Sequence, residues 1–100
     1  MTSKAIQKEE ILKLLRENKD FFKKEFDVDN IMLFGSYARD EATVDSDIDI
    51  LIEAETKSFD QKFDLKLFLE NKFKKKVDIA YIDSVRQFIL RFIKKELIYA

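Results

Sequence analysis

Apolar residues recur in the first quarter of the chain at Ile6, Ile11, Leu12, Leu14 and Leu15, then at Phe21, Phe22 and Phe26, with charged residues between them. Spacings of three and four collect such positions on one side of a helix. Residues 3–26 are therefore predicted helical, with Ser3 as N-cap. The polar run Glu17-Asn18-Lys19-Asp20 interrupts the stripe. It predicts a break into two helices, with Asn18 capping the second. The pattern then changes. Residues 30–34 (NIMLF) form a short apolar run closed by Gly35. Residues 47–53 set Asp47 and Asp49 against Ile48, Ile50 and Ile52 in alternation. Both segments read as strands. Phe59, Phe63 and Leu67 follow at four-residue steps behind Ser58 and Gln61, which stand at capping-box spacing. That predicts a helix over 58–73. Residues 76–82 (KVDIAYI) predict a third strand. Ser84 and Gln87 repeat the capping-box spacing and predict a last helix to about 96, leaving residues 98–100 as a short tail.

The predicted order is α(α)–β–β–α–β–α. No Pro- or Gly-rich linker, internal repeat or low-complexity tract divides it, so residues 1–100 are expected to form one domain. Helices interleaved with a few strands imply an α/β or α+β fold, with helices packed on a small sheet.

Composition narrows the chemistry. Hydrophobic residues make up 46% of the 100 residues, ten of them Phe, which is enough for a packed core. Phe88, Ile89, Phe92 and Ile93 lie at helical spacing and are expected in that core, with some of the Phe set left for an interface. The net charge of −1 argues against a general nucleic-acid or membrane-surface binder. The lysines at 72, 74, 75 and 76 read as a solvated helix end that complements the helix dipole. There is no Cys and no His. Cys/His zinc sites and histidine-activated nucleophiles are therefore excluded, leaving carboxylates, Lys, Arg, Tyr, Ser and Thr. The absence of disulfides, of an apolar leader and of a membrane-length apolar run leads to the expectation of a cytoplasmic protein with no membrane partner.

Asp47 and Asp49 are the strongest chemical signal. Alternation puts both on one face of a strand, about 7 Å apart along it, with the isoleucines on the other. Two neighbouring carboxylates repel, and Mg²⁺ resolves this by taking one or two carboxylates together with phosphate oxygens. Asp78 lies between Val77 and Ile79 in a third apolar strand, where an unpaired acid is costly. If the two strands are neighbours, Asp78 faces the same point. Three converging carboxylates suit two-metal phosphoryl or nucleotidyl transfer. Gly35 is the chain's only glycine, and Ser36 follows it. Glycine lets backbone approach a ligand, and N–H groups at a helix start cradle phosphate.

The stretch GSYARDEATVDSDID, residues 35–49, resembles the nucleotidyltransferase signature of the DNA polymerase β superfamily. More narrowly, the chain resembles the minimal nucleotidyltransferases over nearly its whole length: IMLFGSYAR, DSDIDILIE, KKVDIAYIDS and the closing IKKELIYA. The resemblance implies a polymerase β-like fold with a small mixed sheet, use of ATP or another NTP with Mg²⁺, and transfer of a nucleoside monophosphate to a hydroxyl. Gly35 and Ser36 would bind the nucleotide phosphates. Asp47 and Asp49 would hold the metals, and Asp78 would complete the metal site and help deprotonate the acceptor. Arg39 matches an arginine common in the motif, which either contacts phosphate or forms a surface salt bridge. Many relatives carry Gly where this chain has Asp40, a residue that tolerates turns but adds negative charge near the phosphate site. Asp45 reads as a solvated turn residue and Tyr37 as packing.

The same resemblance implies an antitoxin that adenylylates a tyrosine of a partner HEPN-type toxin, in a homo- or hetero-oligomer. Larger relatives carry a second domain for their acceptor, and this chain is expected to receive its acceptor as a partner protein. Two other readings stay open. One is a binding module that neutralises a partner by occlusion, with weak or no catalysis. The other is half of a small-molecule nucleotidyltransferase built from two chains.

Overall fold

The computed structural model describes residues 6–100, and the expected cap at Ser3 lies outside them. Two helices open the chain, α1 (Lys8–Glu17) and α2 (Lys19–Phe26), and the predicted break falls between them. Asn18 acts differently from expectation. Its side-chain amide donates to the Leu14 carbonyl at 2.8 Å, so it closes α1 and makes no side-chain cap to α2. The α2 helix ends at Asp27, in the left-handed region at φ 57°.

Strand β1 (Asn30–Phe34) runs straight into a four-residue helix, α3 (Gly35–Ala38). Strand β2 (Ile48–Glu53), helix α4 (Phe59–Phe73) and strand β3 (Val77–Tyr81) follow. A 3-10 turn at Ile82–Ser84 leads to α5 (Gln87–Ile93) and β4 (Ile98–Tyr99). The sheet order is β3-β2-β1-β4, with β2 and β3 parallel and the other pairs antiparallel. The mixed sheet with packed helices is the predicted class.

Four expectations need correction at the C-terminal end. The last helix does not start from Ser84. Val85 and Arg86 are extended, and α5 opens at Gln87 without a side-chain cap. It also stops at Ile93, where the Glu96 and Leu97 N–H groups turn back to the Ile93 carbonyl. The short tail is a strand: Ile98 lies opposite Leu33 and Tyr99 opposite Met32. A two-residue strand has no periodicity of its own; β1 supplies its ladder. Ile89 and Phe92 are exposed rather than in the core, and Ile93 is half-buried. The expectation for the Phe88 side chain lies outside the described ones.

The core is formed by Ile11 and Leu15 of α1, Phe22 of α2, Ile31 and Leu33 of β1, Ile48, Ile50 and Ile52 of β2, and Leu65 and Leu69 of α4. Alternation turns Met32 and Leu51 to the opposite sheet face, where both are also fully buried. The middle of the sheet is thus covered on both sides. Apolar groups lie on two faces of α4. Leu65, Leu69 and Phe73 are buried, whereas Phe59, Phe63 and Leu67, the stripe that signalled the helix, are exposed.

Ser58 Oγ caps α4 by accepting from the Gln61 N–H at 3.0 Å. The Gln61 side chain does not return to Ser58. Its amide donates to the carbonyls of Phe26 at 2.7 Å and Thr56 at 3.0 Å, and its oxygen accepts from the Tyr81 hydroxyl. This one side chain joins the end of α2, the start of α4 and the end of β3. Among the four clustered lysines, Lys75 is more than a solvated charge. Its ammonium donates to the Val44 carbonyl at 2.7 Å and holds the loop ahead of β2. Among the described residues, no helix is long and apolar enough to cross a membrane.

Candidate active site

The site forms where β1 ends beside the start of β2. Phe34, the last residue of β1, lies opposite Asp49. Gly35 follows with φ +76°, a conformation that L side chains rarely adopt. A Cβ on Gly35 would also stand 3.0 Å from Cγ and 3.1 Å from Cβ of Asp49, and would overlap Oδ2. Backbone conformation and local space therefore both require glycine. Ser36 is half-buried in α3, and its carbonyl accepts from the Glu41 N–H at 2.8 Å. The opening N–H groups of a helix have no partners within it, so the chain offers donors beside Asp49.

The carboxylates are placed by strand register. In the parallel β2–β3 pair, Asp49 stands beside Asp78 and Ile48 beside Val77. Ile48 and Val77 are fully buried in the core, so the two acids occupy the opposite face. Asp47 directly precedes β2 rather than lying in it, two residues ahead of Asp49. Asp47 and Asp49 are half-buried and Asp78 is exposed. Burial pushes the Asp49 carboxyl above the usual carboxylate range; the negative charges of Asp78 and Asp47 add to the shift, and Arg39 opposes it. Among the described residues, none of the three acids is in an ion pair.

As the side chains stand, no three acidic groups among the described residues form a cluster that could hold a metal ion. The backbone brings the three acids into one row without closing a cage. The donor chemistry still fits a hard cation, because Mg²⁺ is commonly held by one or two carboxylates plus phosphate oxygens. Asp47 and Asp49 are the pair that could do this, with Asp78 alongside.

Arg39 is held by its neighbours. Its Nε meets Glu41 at 2.8 Å and a terminal nitrogen meets Glu96 at 3.1 Å. The hydrogen bond to Glu41, then that to Glu96, raises the guanidinium pKa further. Glu96 is 57 residues away in sequence, and nothing in the local pattern signals it. Asp40 has φ +60°, in the left-handed region that favours glycine, and its carboxylate pairs with Lys8 at 3.0 Å. Its negative charge is thereby countered. Tyr37 is buried as packing, as expected, and burial raises its pKa. A groove between α4 and the edge strand β3 was not foreseen. It measures about 320 Å³ and is lined by Phe59, Lys62, Phe63, Lys66, Asp78 and Ile79. Its only signal in the sequence is the second apolar stripe of α4.

The chain is similar to known proteins over most of its length. The family model described as polymerase beta nucleotidyltransferase matches residues 16–100. The protein adenylyltransferase MntA of Thermococcus cleftensis is 36% identical over 92 residues, 91% of this chain and 93% of that protein. A candidate protein adenylyltransferase of Methanocaldococcus jannaschii is 39% identical over 92 residues, 90% of this chain and 94% of the relative. Among solved structures, a candidate minimal nucleotidyltransferase superposes with a TM-score of 0.78 at 28% identity, covering 96% of this chain and 98% of the other. A toxin–antitoxin structure with AMP-PNP gives 0.67 at 25% identity, covering 94% of this chain and 72% of the other. A complex of a tri-AMPylated Shewanella oneidensis HEPN toxin with its MNT antitoxin gives 0.58 at 25% identity, covering 92% and 66%.

Proposed function

The chain belongs to the polymerase beta nucleotidyltransferase family of enzymes, and on that premise we propose that it is a Mg²⁺-dependent protein adenylyltransferase acting as an antitoxin. The observation that carries this reading is the packing of Asp49 against Gly35 on one side and its pairing with Asp78 on the other. Phosphate-approachable backbone and the acidic row are then parts of one site.

Gly35 and Ser36 would receive the terminal phosphates of ATP. Asp47 and Asp49 would hold Mg²⁺, which when bound neutralises charge developing on the phosphoryl oxygens. Asp78 is the exposed member of the row, so it is the one an incoming acceptor can reach. The acceptor, a tyrosine hydroxyl, would pass its proton to Asp78. Its oxygen bonds to the α-phosphorus, the bond to the bridging oxygen breaks, and pyrophosphate leaves. Arg39 would need to release Glu96 to reach phosphate; as it stands it ties α3 to the segment after α5. The acceptor is proposed to be a HEPN-type toxin, supported by the solved toxin–antitoxin complexes among the neighbours.

The test is label transfer from [α-³²P]ATP to the product of the adjacent gene in the presence of Mg²⁺. Transfer by the wild type and its loss in Asp47→Ala/Asp49→Ala is the expected result. Neutralisation of the partner that persists with no transfer at all sinks the enzymatic reading and leaves a protein that acts by occlusion. The engagement of Arg39 by Glu41 and Glu96 is the observation on that side.

A further inference from the structure

Asp47 and Asp49 are held in place by different means. Asp49 lies inside the sheet, opposite Phe34 of β1 on one side and beside Asp78 of β3 on the other. Asp47 precedes β2 and belongs to neither strand pair. The two carboxylates repel each other. Of the two, only Asp47 stands outside the ladder, so it is the one that moves away if its loop is released.

Two consecutive residues between α4 and β3 hold that loop. The Lys75 ammonium donates to the Val44 carbonyl at 2.7 Å. The Lys76 carbonyl accepts from the Ile48 N–H at 3.0 Å. These bonds bracket Asp45, Ser46 and Asp47. Inside the bracket the loop closes on itself. The Thr43 N–H donates to the Ser46 hydroxyl at 2.8 Å, the Ser46 N–H to the Thr43 carbonyl at 3.1 Å, and the Asp45 N–H to the Thr43 hydroxyl at 3.3 Å. Such a turn keeps its own shape but not its place on the protein. Its place is fixed at the Val44 carbonyl, by Lys75.

Lys75 projects from a firm base. Lys74 before it ends α4 in the left-handed region, and its N–H donates to the Glu70 carbonyl at 2.9 Å. The Val77 N–H donates to the Glu70 carboxylate at 2.9 Å, and Phe73 and Val77 on either side of the connection are buried. Glu70 thus holds both ends of the segment that carries Lys75, and the half-buried lysine spans from it to the loop.

From this geometry we propose that Lys75 is a positioning residue for Asp47: by holding the Val44 carbonyl it keeps Asp47 alongside Asp49, so that the pair can share a divalent cation. The inference rests on the reading of Asp47 and Asp49 as the metal pair. Lys75 itself is no ligand, since an ammonium group has no acceptor to offer a cation.

The probe is Mn²⁺ alone, titrated into the full chain and followed by loss of the free-ion EPR signal. Lys75→Met is expected to weaken Mn²⁺ binding about tenfold, the scale on which partners that orient metal ligands act. The sign is diagnostic. Removing a positive charge near two carboxylates would by charge alone strengthen cation binding, so a loss reports the lost tie. Lys75→Arg keeps a charged donor and should restore affinity to within about threefold of the wild type. Amide hydrogen exchange should quicken at Ser46 in Lys75→Met and stay unchanged at Leu51 in the middle of β2. Unchanged or tighter Mn²⁺ binding by Lys75→Met overturns the proposal. So does faster exchange throughout the sheet, because the tie would then serve the fold as a whole. Absence of Mn²⁺ binding by the wild type rejects the metal pair and the proposal with it. Binding that Lys75→Met weakens, in a protein that transfers no label from ATP, keeps the positioning role and rejects the transfer reading.

Discussion

Gly35 and Asp49 occupy space that a single added methyl would contest: a Cβ on Gly35 would stand 3.0 Å from Cγ of Asp49 and overlap its carboxylate oxygen. Gly35→Ala is thus expected to do two things. The left-handed conformation at φ +76° costs an alanine about 1–2 kcal/mol, read as a lower midpoint in urea unfolding. The Asp49 carboxylate must also rotate away, so nucleotidyl transfer should fall well beyond what the stability loss explains.

Asp49→Asn should stabilise the fold at neutral pH while abolishing transfer. The Asp49 carboxyl is pushed above its usual range, first by burial and then by Asp78 and Asp47. A raised carboxyl pKa in the folded state means that the ionised form weakens the fold. That penalty is absent when the group is protonated in both states, below the unfolded value near 3.8. It is complete above the folded value. The thermal advantage of the Asn variant should therefore be largest above the folded value and fade as the pH falls toward the unfolded one. An advantage that stays constant over this range would contradict the assigned cause.

Asp78→Asn separates chemistry from folding differently. Asp78 is exposed, so its replacement should change stability by no more than about 0.5 kcal/mol. Loss of the proton acceptor should lower the transfer rate by about 10²–10⁴-fold with little change in nucleotide binding. Single-turnover kinetics with titrated ATP distinguish the two effects.

Gln61 is a structural hinge point whose loss should be felt at three elements. It bonds the Phe26 and Thr56 carbonyls and the Tyr81 hydroxyl. Gln61→Ala is expected to cost about 1–3 kcal/mol, since partly buried partners lose their bonds. Tyr81→Phe should cost about 1 kcal/mol. The two should be non-additive in a double-mutant cycle, because they share a bond.

Much of this protein is legible in local pattern. The break near residue 18, the strands at 30–34 and 47–53, and the helix at 58–73 follow from periods of 3.6 and 2 and from cap chemistry. Gly35, Asp47, Asp49 and Asp78 stand out because each is chemically odd for its setting. The failures share a cause. The final strand, Ile98–Tyr99, exists only because β1 offers a free edge, and Asn18 closes the helix before it rather than capping the one after.

Sequence alone thus determined the two opening helices, the first three strands and α4, and which residues were chemically out of place, because those signals act over a few neighbouring positions. Tertiary structure decided the rest. Strand pairing brought Asp78 beside Asp49 and set Asp49 against Gly35. Long-range ion pairs committed Arg39 to Glu96 and Asp40 to Lys8. Packing chose which apolar stripe of α4 to bury and left Phe59 and Phe63 in solvent. The two stripes have the same four-residue spacing, so only the neighbours that cover one of them could distinguish core from surface.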